Sequence, residues 1–211
     1  MKKFELTNEF VTNMFGTKLF RIRALVEFGD VEAGELGGYV EKESNLGHDD
    51  NAWVYDNAWV YGNARVSGDA LVYGNARVSG NAQVFGNARV SGNARVYGNA
   101  WVYGDAQVSG DARVYGNAWV YGDARVSGDA QVFGDARVSG DKDYAYAHGF
   151  GSCNRTTTFF RLKDGDVGVR CGCFYGTLAQ FRDNVCETHG ETKKAQEYLM
   201  LADLMDFRFK N

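Results

Sequence analysis

The chain has 211 residues, a formal net charge of −4 at pH 7, 27 glycines and no proline. This length buries a sizeable core without disulfide or metal staples, and the acidic balance excludes bulk attraction to nucleic acid or anionic lipid. There is no apolar run of membrane-spanning length, and Glu5 interrupts the start before a secretory core could form, so the expectation is a cytoplasmic protein without a membrane partner, its four cysteines reduced.

Residues 1–50 carry no repeat and read as an N-terminal cap, because the open end of a stacked fold exposes unpaired strand edges. Within it, Lys18 to Glu27 (KLFRIRALVE) alternates like a strand, and the glycine-rich GDVEAGELGGYV leads onward. Val40 and Leu46 stand six residues apart, which predicts one degenerate coil ahead of the regular ones.

Residues 51–141 form the body. From Asn51 to Gly140 the chain repeats [Asn/Asp]-Ala-x-Val-[Tyr/Ser/Phe]-Gly fifteen times. Six residues cannot bury a face alone, so a fixed period of this length means stacking. Ala and Val, two apart, share one face of an extended strand, and the residues on either side of Val share the other. Fifteen valines from Val54 to Val138 therefore point inward. Gly followed by Asn or Asp makes each corner, since these residues tolerate positive φ. The absence of proline fits, because every N–H is needed in the ladder between coils.

These hexads resemble the repeat of the left-handed parallel β-helix, the LpxA-like superfamily, in which an aliphatic residue and a small residue line a triangular prism. That resemblance implies a mainly β fold with three hexads per coil, about five regular coils and a length of roughly 24 Å at ~4.8 Å per coil. A flat solenoid with twelve residues per coil is the rival, suggested by the alternation of Arg/Ser hexads with Gln or aromatic ones; it would stack like charges on one face over a thin core.

Residues 142–211 read as a small α+β module of ββαα order. Thr156 to Leu162 and Val167 to Phe174 flank the Asp164-Gly165 turn of a hairpin. Thr177 and Gln180 form a capping box opening a helix to about Thr188, stopped at Gly190, and a second helix runs from Lys193 to Phe207 with apolar Tyr198, Leu201, Leu204 and Met205. The whole chain resembles a family of uncharacterised bacterial and phage or prophage proteins through RIRAL…FGDVEAGELGGYV, the YGNARVYGNA hexads and TTTFFR…VRCGCFYGTL…THG. The resemblance implies a bacterial host cytoplasm and no catalytic residues.

Several chemistries are open. Acyl transfer, as in hexapeptide acyltransferases, needs a histidine base beside a groove, and the hexads contain no His, no Cys and no loop insertion; His48, His148 and His189 lie outside them. Cys171, Cys173, Cys186 and His189 have the residue types and the C-x-C…C-x-x-H spacing of a tetrahedral zinc site, against the plainer reading of buried small thiols. No other cofactor is expected.

The outward positions are more informative. With 18 residues per coil, Arg77, Arg95 and Arg113 share one column beside Tyr97, Tyr115 and Phe133, while Trp101 and Trp119 stack beside Tyr103 and Tyr121 on another face. Trp53 and Trp59 are also expected to face outward. Arg, Trp and Tyr are the residues of binding hot spots, although aromatic ladders also simply stabilise sheets. The reading is a non-enzymatic binding or scaffold protein using these faces for self-association, a trimer by analogy of fold, or for a protein or nucleotide partner; the alternatives are an acyltransferase-like enzyme and a binder that sequesters a host nucleotide signal or blocks a host protein. Duplex nucleic acid is disfavoured by the acidic column Asp105, Asp123 and Asp141.

Overall fold

The computed structural model describes residues 2–150 and 155–210. Strand β1 (Phe4–Thr12) and β2 (Lys18–Ala24) form an antiparallel hairpin, and β2 also pairs antiparallel with β3 (Leu36–Val40). Fifteen two-residue strands follow at six-residue spacing, from β4 (Trp53–Val54) to β18 (Arg137–Val138). A four-stranded antiparallel sheet, β19 (Tyr144–Phe150), β20 (Arg155–Arg161), β21 (Val167–Cys171) and β22 (Phe174–Thr177), leads to helices α1 (Leu178–His189) and α2 (Lys193–Phe209).

The coil has 18 residues. Arg95 pairs in parallel with Arg77 and Arg113, and Trp101 pairs with Gln83 and Trp119. Every third hexad therefore falls on the same sheet, which gives three faces and excludes the twelve-residue alternative. Face one runs through β4, β7, β10, β13 and β16, and face three through β6, β9, β12, β15 and β18. Face two, through β5, β8, β11, β14 and β17, is continued by β3, β2 and β1 into a sheet of eight strands.

The interior is as uniform as the repeat. Ala and Val of every hexad, Ala52 to Ala136 and Val54 to Val138, have no exposed surface. A degenerate coil precedes them: Tyr39 and Val40 pair with Trp59 and Val60, and Leu46 bridges to Val66, each twenty residues on. About six turns result.

The corners show why Asn and Asp are distributed as they are. Side-chain amides bond from coil to coil, Asn63 to Asn81 to Asn99 to Asn117, each Nδ2 donating to the next Oδ1, and Asn117 donates to Asp135. A second column runs Asn75 to Asn93 to Asp111. A carboxylate accepts but cannot donate. In these two columns Asp therefore takes the receiving position, and the donors lie on the N-terminal side.

The structure departs from the sequence reading in three ways. The C-terminal module has two more strands than the expected ββαα order, because β19 fills the segment between solenoid and hairpin and the chain turns at Gly172 (φ +58°) into β22. Trp53 is fully buried rather than outward, packed edge-on by Phe4 and Phe28 of the cap. On α2 the buried stripe is Ala195, Tyr198, Ala202, Met205 and Phe209, so Leu204 faces solvent and the helix runs two residues further than expected. The capping box of α1 is present, Gln180 N–H donating to Thr177 Oγ1 and Thr177 N–H to Gln180 Oε1.

The module sits on the last coil. Phe160 and Tyr144 join the solenoid core, Gln131 N–H donates to Thr158 Oγ1 at 2.9 Å, and Lys163 N–H donates to Asp135 O at 3.1 Å. At the other end, the pairing of β1 with β2 slips between Leu6 and Phe10, and such irregularities bend a strand. The hairpin tip, Thr12 to Phe15, borders the same cleft as the outward residues of face two.

Candidate anion-binding cleft

Two parallel strand pairings place Arg77, Arg95 and Arg113 in one outward column, because the x position precedes Val on β8, β11 and β14. Each is one coil, ~4.8 Å, from the next. Arg77 lies over the Trp59 ring at 4.4 Å, a cation–π contact. Among the described residues none of the three arginines makes an ion pair with a carboxylate. Three like charges held this close repel one another, and they are stabilised when an anion bridges them.

The column forms one wall of a cleft of about 560 Å³, whose other walls include Trp59, Tyr61, Ser79, Tyr97 and the hairpin tip Thr12 to Phe15. Among the described residues no Asp or Glu lines it. On the other side of the column a smaller groove of about 280 Å³ lies between the same arginines and Asn75, Asn93 and Asp111. There Asp111 Oδ1 already accepts the Asn93 amide at 3.0 Å.

The aromatic columns form as the spacing predicts. Tyr97 stacks on Tyr115 with centroids 4.8 Å apart, and Tyr115 meets Phe133 at 4.5 Å. On face three, Trp101 stacks on Trp119 at 5.1 Å, Tyr103 on Tyr121 at 5.3 Å, and Phe85 on Tyr103 at 4.9 Å. Burial raises the Tyr97 hydroxyl pKa, with Tyr115 adding to the effect, and it raises that of Tyr103 in the same way beside Tyr121.

All of these rings are only partly exposed, because each covers its neighbour's face. Arg137 also covers Trp119 at 4.1 Å. The ladders therefore bury much of their own apolar surface within the sheet, which is the stabilising role such pairs have in any sheet.

The four sequence-flagged metal ligands are differently placed. Cys171 ends β21, Cys173 lies beyond the Gly172 turn, and Cys186 and His189 are on α1. Cys171, Cys173 and His189 line a shallow cleft with Phe181 and Tyr198, but exposed Cys186 does not border it. Thr157 Oγ1 donates to Cys171 Sγ at 3.2 Å, and the His189 ring stacks on Tyr198 at 5.9 Å. Among the described residues no three His, Cys, Asp or Glu side chains are placed to share an ion. The C-x-C pair does not sit on one strand as the spacing suggests, since a turn separates its members. Cys153 lies outside the described residues.

Sequence reasoning missed Asn13, which lines the cleft and is 8% exposed. Its signal was the Asn-Met-Phe-Gly run between two alternating segments, a turn sequence with asparagine at the entry.

A protein-family model described as the YdcK beta solenoid repeat matches residues 58–73, 70–86, 82–95, 88–104, 106–122 and 118–132. No curated protein matches the chain. The matched windows fall on the coils that carry the arginine column, and by repeat and by architecture this chain is a β-solenoid repeat protein.

Proposed function

We propose that the protein is a non-enzymatic binding protein whose face two takes an anionic ligand on Arg77, Arg95 and Arg113. The observation that carries this reading is a column of three guanidinium groups that, among the described residues, have no carboxylate partner and wall a cleft lined by no acidic side chain. Arginine presents a planar fork suited to phosphate or carboxylate oxygens, and a rigid ladder fixes the spacing of the forks in advance. No cofactor enters the proposal. An acyltransferase-like activity has less support, since the hexads supply no histidine.

The finer architecture belongs to the same proposal: a left-handed turn of the LpxA-like type, supported by the small and aliphatic pair in each hexad and by the 18-residue coil. The setting we infer from the family resemblance is a bacterial cytoplasm, with the gene carried by a phage or prophage. There the ligand would be a host nucleotide signal or an acidic protein surface.

The test is calorimetric titration of the full chain with inorganic tripolyphosphate. The Arg95→Gln/Arg113→Gln double variant is expected to bind at least ten-fold more weakly, while Arg137→Gln on face three leaves binding unchanged. Equal losses in both variants would show nonspecific charge attraction and overturn the assignment to face two.

Self-association as a trimer is the second reading. It is favoured by Met200, Leu204 and Phe207, spaced four and three residues apart on α2 and 71%, 56% and 72% exposed. A solution mass of one chain by light scattering removes it.

A further inference from the structure

The hairpin tip gives the cleft a second kind of recognition. Asn13 Oδ1 accepts two backbone N–H groups, from Phe15 at 2.9 Å and Thr17 at 3.0 Å. These two donors fix the orientation of the amide, so the other end must be nitrogen. That nitrogen, Nδ2, is buried and has no hydrogen-bond partner. A buried donor without an acceptor costs about 1–3 kcal/mol, a cost relieved when the tip moves enough to turn this N–H toward an acceptor in the cleft that Asn13 lines.

Around it the cleft is rich in donors and rings and lacks carboxylates. The guanidinium groups of Arg77, Arg95 and Arg113 donate only, and Trp59, Tyr61 and Tyr97 supply aromatic surface. Met14 and Phe15, 87% and 79% exposed, stand at the rim as apolar side chains that the fold leaves uncovered. One or two neighbouring arginines suffice for a single phosphate; a third in line calls for a further anionic group. A volume near 560 Å³ is that of a small-molecule site, and the hairpin tip, Thr12 to Phe15, forms part of its wall.

Resting on the proposed anion-binding role of face two, we infer that the cleft binds a nucleoside di- or triphosphate. Its phosphates lie along Arg77, Arg95 and Arg113. Its base lies under the hairpin tip, between the aromatic wall and Met14 and Phe15, and a small shift of the tip uncovers the buried Asn13 Nδ2 so that it donates to the base. Stacking of a base on such rings is worth about 1–3 kcal/mol, so the ring should add measurably to the affinity of the phosphates alone.

The experiment titrates the full chain with the di- and triphosphates of adenosine, guanosine, cytidine and uridine, with inorganic pyrophosphate, and with a single-stranded oligonucleotide, for wild type and two variants. Asn13→Asp keeps the acceptor that holds the turn and replaces the free donor by an acceptor. Phe15→Ser removes the apolar rim. At least one nucleoside di- or triphosphate is expected to bind ten-fold or more tightly than pyrophosphate, and each variant is expected to lose ten-fold or more for that nucleotide while pyrophosphate affinity changes less than three-fold for Phe15→Ser. Far-ultraviolet circular dichroism and the urea midpoint confirm that both variants are folded.

Pyrophosphate binding equal to that of every nucleotide, or full nucleotide affinity in Asn13→Asp, overturns the inference and leaves the anion-binding role standing. Tighter binding of the oligonucleotide than of any nucleoside di- or triphosphate overturns it in favour of a polymer. If neither pyrophosphate nor any nucleotide binds, while tripolyphosphate does bind through Arg95 and Arg113, the nucleotide inference alone falls.

Discussion

Lys3 shows how one residue ties the cap to the first coil. The residue is 3% exposed, and Nζ donates to Ala52 O at 2.9 Å and Asp50 O at 3.1 Å while lying 4.5 Å from the centre of the Phe28 ring. Burial lowers its pKa from 10.5 to about 8, and Asp50, Asp49 and Asp69 oppose the shift only in part. Above pH 8 the folded chain releases this proton while the unfolded chain keeps it up to about 10.5, so the unfolded state binds more protons and stability rises with pH across that window. The contribution is complete above the unfolded value and is lost as pH falls through 8. Tyr97, Tyr103 and Tyr144 act in the opposite sense from about pH 10, since their folded pKa values are raised and the unfolded chain ionises first. Urea midpoints measured from pH 7.5 to 10 should therefore climb, and Lys3→Met should flatten the climb. An unchanged slope in that variant assigns the effect to other groups.

At the scale of the element, the corner is where the coil is least tolerant. Gly104 has φ +72°, and a Cβ there would stand 3.1 Å from Gly122 N and 3.2 Å from its O. A left-handed conformation costs an ordinary residue roughly 1–2 kcal/mol before any clash, so Gly104→Ala is expected to destabilise by at least that amount in urea unfolding. Gly140 lacks the positive φ, and its nearest obstacle is an Asp123 carboxylate oxygen at 3.3 Å, so Gly140→Ala should cost little. The same local rules explain what the sequence made legible. Hexads, corner residues, the three columns and the α1 cap all follow from spacing within a few residues or from an 18-residue period, and they could be read directly. Trp53 could not, because its pattern matches Trp59 and only the packing of Phe4 and Phe28, from residues far away in the chain, buries it. Strand β19 was missed because the Gly140-Asp141 pair reads as one more corner of the repeat, and nothing in Tyr144 to Phe150 marks the start of a new sheet. Asn13 escaped because its meaning depends on where the hairpin tip comes to rest, which the sequence of the tip does not state.

At the scale of the molecule, the interior and the surface of the solenoid carry separate information. Ala and Val are the same on every face, so the core accepts any hexad at any place; the outward residues differ, so function depends on phase. Two deletions separate these roles. Removing residues 87–104 takes out one whole coil and brings Arg113 directly beside Arg77, with Trp119 beside Gln83. Removing only residues 87–92 shifts everything after it by one face, so that Trp101 and Trp119 replace Arg95 and Arg113 above Arg77. Both chains keep the Val and Ala stack and the junction of the last coil with the C-terminal sheet, and a repeat array loses stability roughly in proportion to the units removed. Both are expected to remain folded by circular dichroism, with lower stability in the 18-residue deletion. Tripolyphosphate binding should weaken in that chain and disappear in the six-residue deletion, although the latter loses only Arg89 among the arginines of the hexads. Collapse of the six-residue deletion would show that the interior is not interchangeable between faces, and full binding by it would place the anion site somewhere other than face two.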